Sequence, residues 1–187
     1  MKLARSLTAL PMAAAAILVL AAPPQARAAI FACINGIQGD ATTQGFEGCI
    51  AVVSVGELLE MPLAAGGTGE TRSTTTPVYR PFRLIKQLDR SSPVWRDKLL
   101  TGTLLTSDLR ITFTTNGEAG PLPYFEIMMA GTLVTAVSMT ADADGVPIEV
   151  ISLNPLQVEW TYTPYDSAGT PQSPVTASWD FSLNASF

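Results

Sequence analysis

The chain contains no histidine, which excludes Ser-His-Asp and Cys-His nucleophile arrangements and any imidazole metal site. What remains for chemistry is two cysteines, sixteen carboxylates and the hydroxyls. Glu57 with Glu60, and Asp142 with Asp144, are the close carboxylate pairs, but each lies near turn signals and neither spacing brings the two acids face to face. Asp142-Ala143-Asp144-Gly145 is a fragment of a calcium-loop pattern without its later bidentate glutamate, so it reads as an Asp-Gly hairpin turn. Gly66-Gly67-Thr68-Gly69 has no following Lys-Ser/Thr and does not join a strand to a helix, so it is not a phosphate loop. Serine, cysteine or paired carboxylates could still act, but no spacing here singles out a catalytic set, and no cofactor or metal is expected.

The first residues read as an export signal. Lys2 and Arg5 give a positive start, Ala13 to Ala22 an apolar run, Pro23-Pro24 its end, and Ala26-Arg27-Ala28 a small-x-small cleavage pattern. The run is shorter than a bilayer-spanning helix. We expect residues 1–28 to be removed between Ala28 and Ala29, leaving 29–187 as one exported domain in the periplasm or medium, with no membrane insertion. The remaining 159 residues carry eight basic and sixteen acidic side chains, a net of −8, which argues against nucleic acid or an anionic membrane as partner. Seven of the eight basic residues fall between Arg72 and Lys98, where Pro77, Pro81, Pro93, Asp89 and Asp97 interrupt them, so they read as surface or subunit-interface charge.

Export would place Cys33 and Cys49 in an oxidising compartment, where a disulfide is their simplest use and two buried free thiols the alternative. Ile30-Phe31-Ala32-Cys33 loosely resembles the end of a lipoprotein signal, but Phe31 is too bulky for that pattern and the apolar run ends ten residues earlier.

The elements that would position these groups are mostly strands. Leu109, Ile111 and Phe113 alternate with polar residues; Leu133, Thr135, Val137 and Met139 form a second such face, Val158, Trp160 and Tyr162 a third, and Trp179, Phe181 and Leu183 a fourth. Turns at Asn116-Gly117, Asp144-Gly145, Asn154-Pro155 and 164–174 separate the runs, giving eight or nine strands in an antiparallel β-barrel or sandwich. "DRSSPVWRDKLLTG", Asp89 to Gly102, reads as the one flanking helix. Ser91 or Ser92 would cap it, Pro93 suits its first turn, Gly102 ends it, and Val94, Trp95, Leu99 and Leu100 supply the buried stripe. Leu63 to Pro77 has almost no core residues and is either a flexible loop or an arm ordered by a partner.

Four stretches, in order, resemble the haemolysin-coregulated protein (Hcp) family of the type VI secretion system: "IFACINGIQGDA", "LDRSSPVWRDKLLTG", "VEWTYTP" and "ASWDFSLN". The resemblance spans most of Ile30 to Phe187. It implies a mainly β, Hcp-type barrel flanked by one helix, a noncatalytic tube protein that assembles with itself into stacked hexameric rings, and secretion-apparatus proteins or effectors as further partners. It also implies that Gly66, Gly67, Thr68, Gly69, Glu70, Thr71 and Arg72 lie in a ring-stacking loop, and that the helix, through Ser92, Arg96 and Asp97, lines the pore. Family tube proteins assemble in the cytoplasm, so the export signal leaves two alternatives: an exported ring, or a monomeric exported binding or adhesion module of the same fold.

Overall fold

The structure is a computed structural model that describes residues 28–63, 74–117, 120–141, 143 and 145–187. The strands are β1 (Ala29–Cys33), β2 (Ile50–Gly56), β3 (Leu59–Glu60), β4 (Val78–Tyr79), β5 (Phe82–Gln87), β6 (Leu109–Gly117), β7 (Gly120–Ala130), β8 (Leu133–Thr140), β9 (Ile148–Asn154), β10 (Gln157–Tyr162) and β11 (Val175–Asp180). The helix α1 (Ser92–Thr101) falls between β5 and β6. Nine strands form one antiparallel sheet in the order β11-β10-β7-β6-β1-β2-β5-β9-β8, and β3 pairs with β4 in a separate arm.

The sheet rolls up because one long ribbon bends. β7 runs into β8 through Gly131 and Thr132, and β9 runs into β10 through Pro155 and Leu156, while β7 pairs with β10 and β8 with β9. The ribbon therefore contributes to both ends of the strand order, as corner-turning strands do where two sheets meet. The Leu156 amide bonds the Ala130 carbonyl at 3.1 Å across the bend. Gly131 has φ +57° there, and a Cβ on it would come within 2.9 Å of the Leu156 side chain, so the corner requires glycine. A single buried cluster then joins side chains from β1, β2 and β5 to β10 with Trp95 of the helix.

Strand phase follows the sequence in the middle of the sheet and departs from it near the edges. Leu109 and Ile111 are fully buried, and Val158 likewise. In β8 the expected face holds only at Val137, which packs against the core: Val134 is buried whereas Leu133 and Met139 are exposed. The register shifts between Val134 and Ala136, so a bulge at Thr135 flips the alternation. The face expected from Trp179, Phe181 and Leu183 breaks only at its end: Phe181 still packs against the core, but β11 stops at Asp180. The Asp180 carboxylate accepts the amides of Ser182 and Leu183 at 2.8 and 2.9 Å, which turns the chain and leaves Leu183 exposed.

Helix α1 starts and ends for different reasons. Gly102 adopts φ 60°, and the Gly102 and Thr103 amides return to the Leu99 and Lys98 carbonyls, the reciprocal pattern of a Schellman motif. At the start, Ser91 occupies the cap position but makes no side-chain cap bond. Its hydroxyl is spent elsewhere, as described below. Trp95 is fully buried, Val94 and Leu99 pack on the core's margin, and Leu100, expected in the buried stripe, is 85% exposed.

Candidate functional site

Two charged strand residues have apolar company on the same face. Lys86 shares the phase of Phe82 and Leu84 in β5, and Glu149 that of Ile151 and Leu153 in β9; all six are buried. Lys86 and Glu149 are direct cross-strand partners in the β5–β9 ladder. Their side chains are fully buried and meet at 2.8 Å, Nζ to Oε2. Lys86 thereby departs from the expectation of surface charge, because a desolvated ammonium is tolerated where it is paired and hydrogen-bonded.

The helix docks onto this pair. Lys86 Nζ also donates to Asp89 Oδ1 at 2.7 Å, Ser92 Oγ at 2.8 Å and the Gln87 carbonyl at 3.0 Å. The Ser92 hydroxyl donates to Glu149 Oε2 and accepts the Asp89 amide at 3.1 Å. Arg96 reaches back from the second helical turn, with Nη1 2.5 Å from Glu149 Oε1 and 2.8 Å from the Ser92 carbonyl. Ser91 Oγ donates to Asp89 Oδ1 at 2.5 Å and accepts Trp95 Nε1 at 3.1 Å. Asp89, Ser91 and Ser92 are thus consumed in tying the helix to the sheet, which is why neither serine caps it in the ordinary way. Burial pushes the Glu149 carboxyl up, but the hydrogen bonds from Lys86, Ser92 and Arg96 outweigh it and hold the group below the usual carboxylate range.

Of the helix residues expected at a pore, Ser92 is buried inside this network, Arg96 is partly exposed at its rim, and Asp97 is exposed. Leu100 is the apolar side chain on the same helix that faces outward. The sequence pattern assigns Lys86 to surface or interface charge and does not single out Glu149. The signal that reveals them is an opposite pair of charges in phase with the buried faces of two strands.

A second feature is the β3–β4 arm. Its ladder continues beyond the strands through Arg80 N to Leu58 O and Thr75 N to Pro62 O, both 3.0 Å, and a bridge from Leu63 to Thr74. At roughly 3.3 Å per residue, Leu58 to Leu63 spans about 17 Å. Leu58, Leu59, Met61 and Leu63 on it are each about half exposed, at 48–55%. Gly66, Gly67, Thr68, Gly69, Glu70, Thr71 and Arg72, the expected stacking loop, follow directly and lie outside the described residues, as do the cleavage pattern before Ala28 and the Asp142 and Asp144 pair. Ala28 is the first described residue of the chain, and Ala29 begins β1.

The remaining candidates have structural partners. Glu57 Oε1 accepts Tyr79 OH and Trp160 Nε1, both at 2.8 Å, and Glu60 pairs with Arg80 at 2.6 Å, so the two carboxylates serve different neighbours. Burial, reinforced by Glu57, pushes the Tyr79 phenol well up and keeps it a donor. Cys33 and Cys49 are bonded to each other, with their Cα atoms 4.7 Å apart. Among the described residues, no group of three or more Cys, Asp or Glu could hold a metal ion, and no helix is long and apolar enough to cross a membrane.

Residues 31–162 match the family model described as type VI secretion system effector, Hcp. No curated protein sequence matches the chain. Among solved structures, a type six secretion system protein superposes with a TM-score of 0.78 at 16% identity, covering 86% of this chain and 99% of that one. Hcp1 from Salmonella typhimurium gives 0.69 at 21%, covering 86% and 99%. A doubly substituted Hcp1 from E. coli EAEC 042 gives 0.65 at 22%, covering 83% and 99%. At these identities the superpositions speak for the fold: mainly β, antiparallel, with one helix among the described residues, of the Hcp type.

Proposed function

Because this chain belongs to the Hcp family of type VI secretion system effectors, we propose that it is a noncatalytic structural protein that assembles with itself into hexameric rings and carries effectors. In this reading residues 1–28 are an export signal, 29–187 form the single Hcp-type domain, and the ring works in the periplasm or medium. Cleavage before Ala29 would leave β1 whole, with Ala29 still paired to Thr114.

The observation that carries the reading is the β3–β4 arm. Four half-exposed apolar side chains on a two-stranded projection have no core of their own to enter, and such a patch marks a surface made to be covered. A neighbouring ring, met through the arm and the proposed stacking segment 66–72, is the occupant we assign. Ring closure needs two unlike surfaces on each subunit. The strand order ends on β8 and β11, which differ in sequence and exposure and supply such a heterologous pair. Helix α1 would then turn Arg96, Asp97 and Leu100 to the pore, held rigid from beneath by the Lys86–Glu149 network.

Native mass spectrometry of protein recovered from the envelope and medium tests this, with intact masses as control. A sixfold assembly of subunits beginning at Ala29 is expected. Replacing Leu59 and Met61 by Ser should dissolve stacks and leave single rings. A processed monomer that persists at high concentration refutes the ring and favours a monomeric binding or adhesion module.

A further inference from the structure

We infer that the Cys33–Cys49 disulfide is a redox-sensitive clamp on the start of helix α1, acting through Asp40. Cys33 ends β1 and Cys49 immediately precedes β2, so the bridge closes the 34–48 loop at its base. The loop folds back onto its own closing residue. Gly39 N donates to the Gly48 carbonyl at 2.8 Å, Ala41 N to the Cys49 carbonyl at 3.0 Å, and Gly48 N to the Ala41 carbonyl at 2.9 Å. Gly39 lies so close to the Cys49 backbone that a Cβ on it would come within 2.4 Å of the carbonyl oxygen.

Asp40 sits between these two anchored residues and faces the other way. Its Oδ1 pairs with Arg90 Nε, and its Oδ2 accepts the Arg90 amide at 3.3 Å. Arg90 directly precedes Ser91, the cap position of α1. A connected path therefore runs from the bridge through the Cys49 backbone and Asp40 to the first turn of the helix.

The bridge is open to exchange. Both cysteines are partly exposed and line an open groove of about 490 Å³ with Asn35, Gly36, Ser107 and Met128 among its walls. A small dithiol entering there would attack one sulfur through its thiolate, form a mixed disulfide, and close its own disulfide as both cysteines leave as thiols. Two electrons and two protons pass from the dithiol to the protein. The 34–48 loop then loses its covalent base and Asp40 its fixed position.

The inference rests on the pore assignment of α1 only for its consequence in a ring. Amide hydrogen exchange of the full chain tests the clamp, comparing oxidised protein with protein reduced by dithiothreitol, while native mass spectrometry reads assembly size separately. Reduction should speed exchange at the Gly39, Ala41 and Gly48 amides by more than about tenfold. At the Ser92, Val94 and Trp95 amides the gain should reach up to about fivefold, the worth of an exposed ion pair. In Asp40→Ala the loop should still respond to reduction and the helix amides should not. Unchanged helix amides in reduced wild type overturn the inference, as does a bridge that resists the dithiol in the folded protein. An equal rise across β5 and β9 overturns it too, because the bridge would then act on the whole fold.

Discussion

Replacing Glu149 by Leu should destabilise the protein far more than its single carboxylate suggests. The substitution strands Lys86, which is fully buried and loses its 2.8 Å partner on β9. Breaking one side of a buried pair typically costs about 3–5 kcal/mol, because the other charge stays desolvated. Lys86 keeps Asp89 at 2.7 Å and Ser92 Oγ at 2.8 Å, and Arg96, 37% exposed, can turn to water. The low end, about 3 kcal/mol, is therefore expected. For a domain of this size that corresponds to a fall of about 6–12 °C in Tm. Urea unfolding followed by tryptophan fluorescence suits the test, since Trp95 is fully buried against the same network. The second half of the argument is the double variant. Lys86→Met with Glu149→Leu removes both charges, and similar-volume apolar replacements of buried pairs are often neutral. It should recover at least about half of the single-variant loss. A Glu149→Leu protein within about 1 kcal/mol of wild type would refute the reasoning, and so would additive losses in the double variant.

Acid should weaken the fold through the same groups. The folded pKa of Glu149 is depressed, so its contribution is full above the ordinary carboxylate range and is lost as pH falls through the depressed value. Asp180 behaves likewise: the hydrogen bonds from Gln157 and then Ser182 hold it at about 2 against an ordinary 3.8. Asp180→Asn should flatten the stability profile between those two pH values, measured by urea midpoints across the range. Reduction of the Cys33–Cys49 bridge should cost about 3 kcal/mol, as expected for a loop of this length, read as a lower urea midpoint in dithiothreitol. Gly39→Ala should cost more than Gly131→Ala in the same assay. The added Cβ meets the Cys49 backbone at position 39 but only the Leu156 side chain at 131, where a left-handed non-glycine residue costs about 1–2 kcal/mol.

How much of this was legible in the sequence depended on whether the determining interaction was local. Helix α1 was, because Pro93 and Gly102 fix its ends within one short stretch. The inward phase of β6 was, because Leu109 and Ile111 alternate cleanly in the middle of the sheet. The phase of β8 was not, because the bulge at Thr135 is a property of its pairing with β9 and has no glycine to announce it. The end of β11 was misread because Asp180 looks like one more outward polar residue, yet its carboxylate turns the chain by binding amides beyond it. The role of the two serines before Pro93 was misread for a related reason. A cap is the local use of such a residue, and Glu149, which claims Ser92 instead, lies 57 residues away.

That last misreading bears on what the helix can do. A cap bond would have secured only the helix to itself, whereas the bonds from Ser92 and Arg96 to Glu149 secure it to a strand of the sheet. A buried ion pair is a weak source of net stability, since desolvation offsets much of its attraction, but its geometry tolerates few alternatives. An apolar contact between helix and sheet could slide by a fraction of a turn with little loss. One Lys, one Glu, one Arg and one Ser joined at hydrogen-bonding distances cannot slide without exposing a buried charge to an apolar wall. In a ring whose subunits each contribute one such helix to a shared pore, that fixed seat would hold Asp97 and Leu100 at the same height in every copy, which a continuous channel requires.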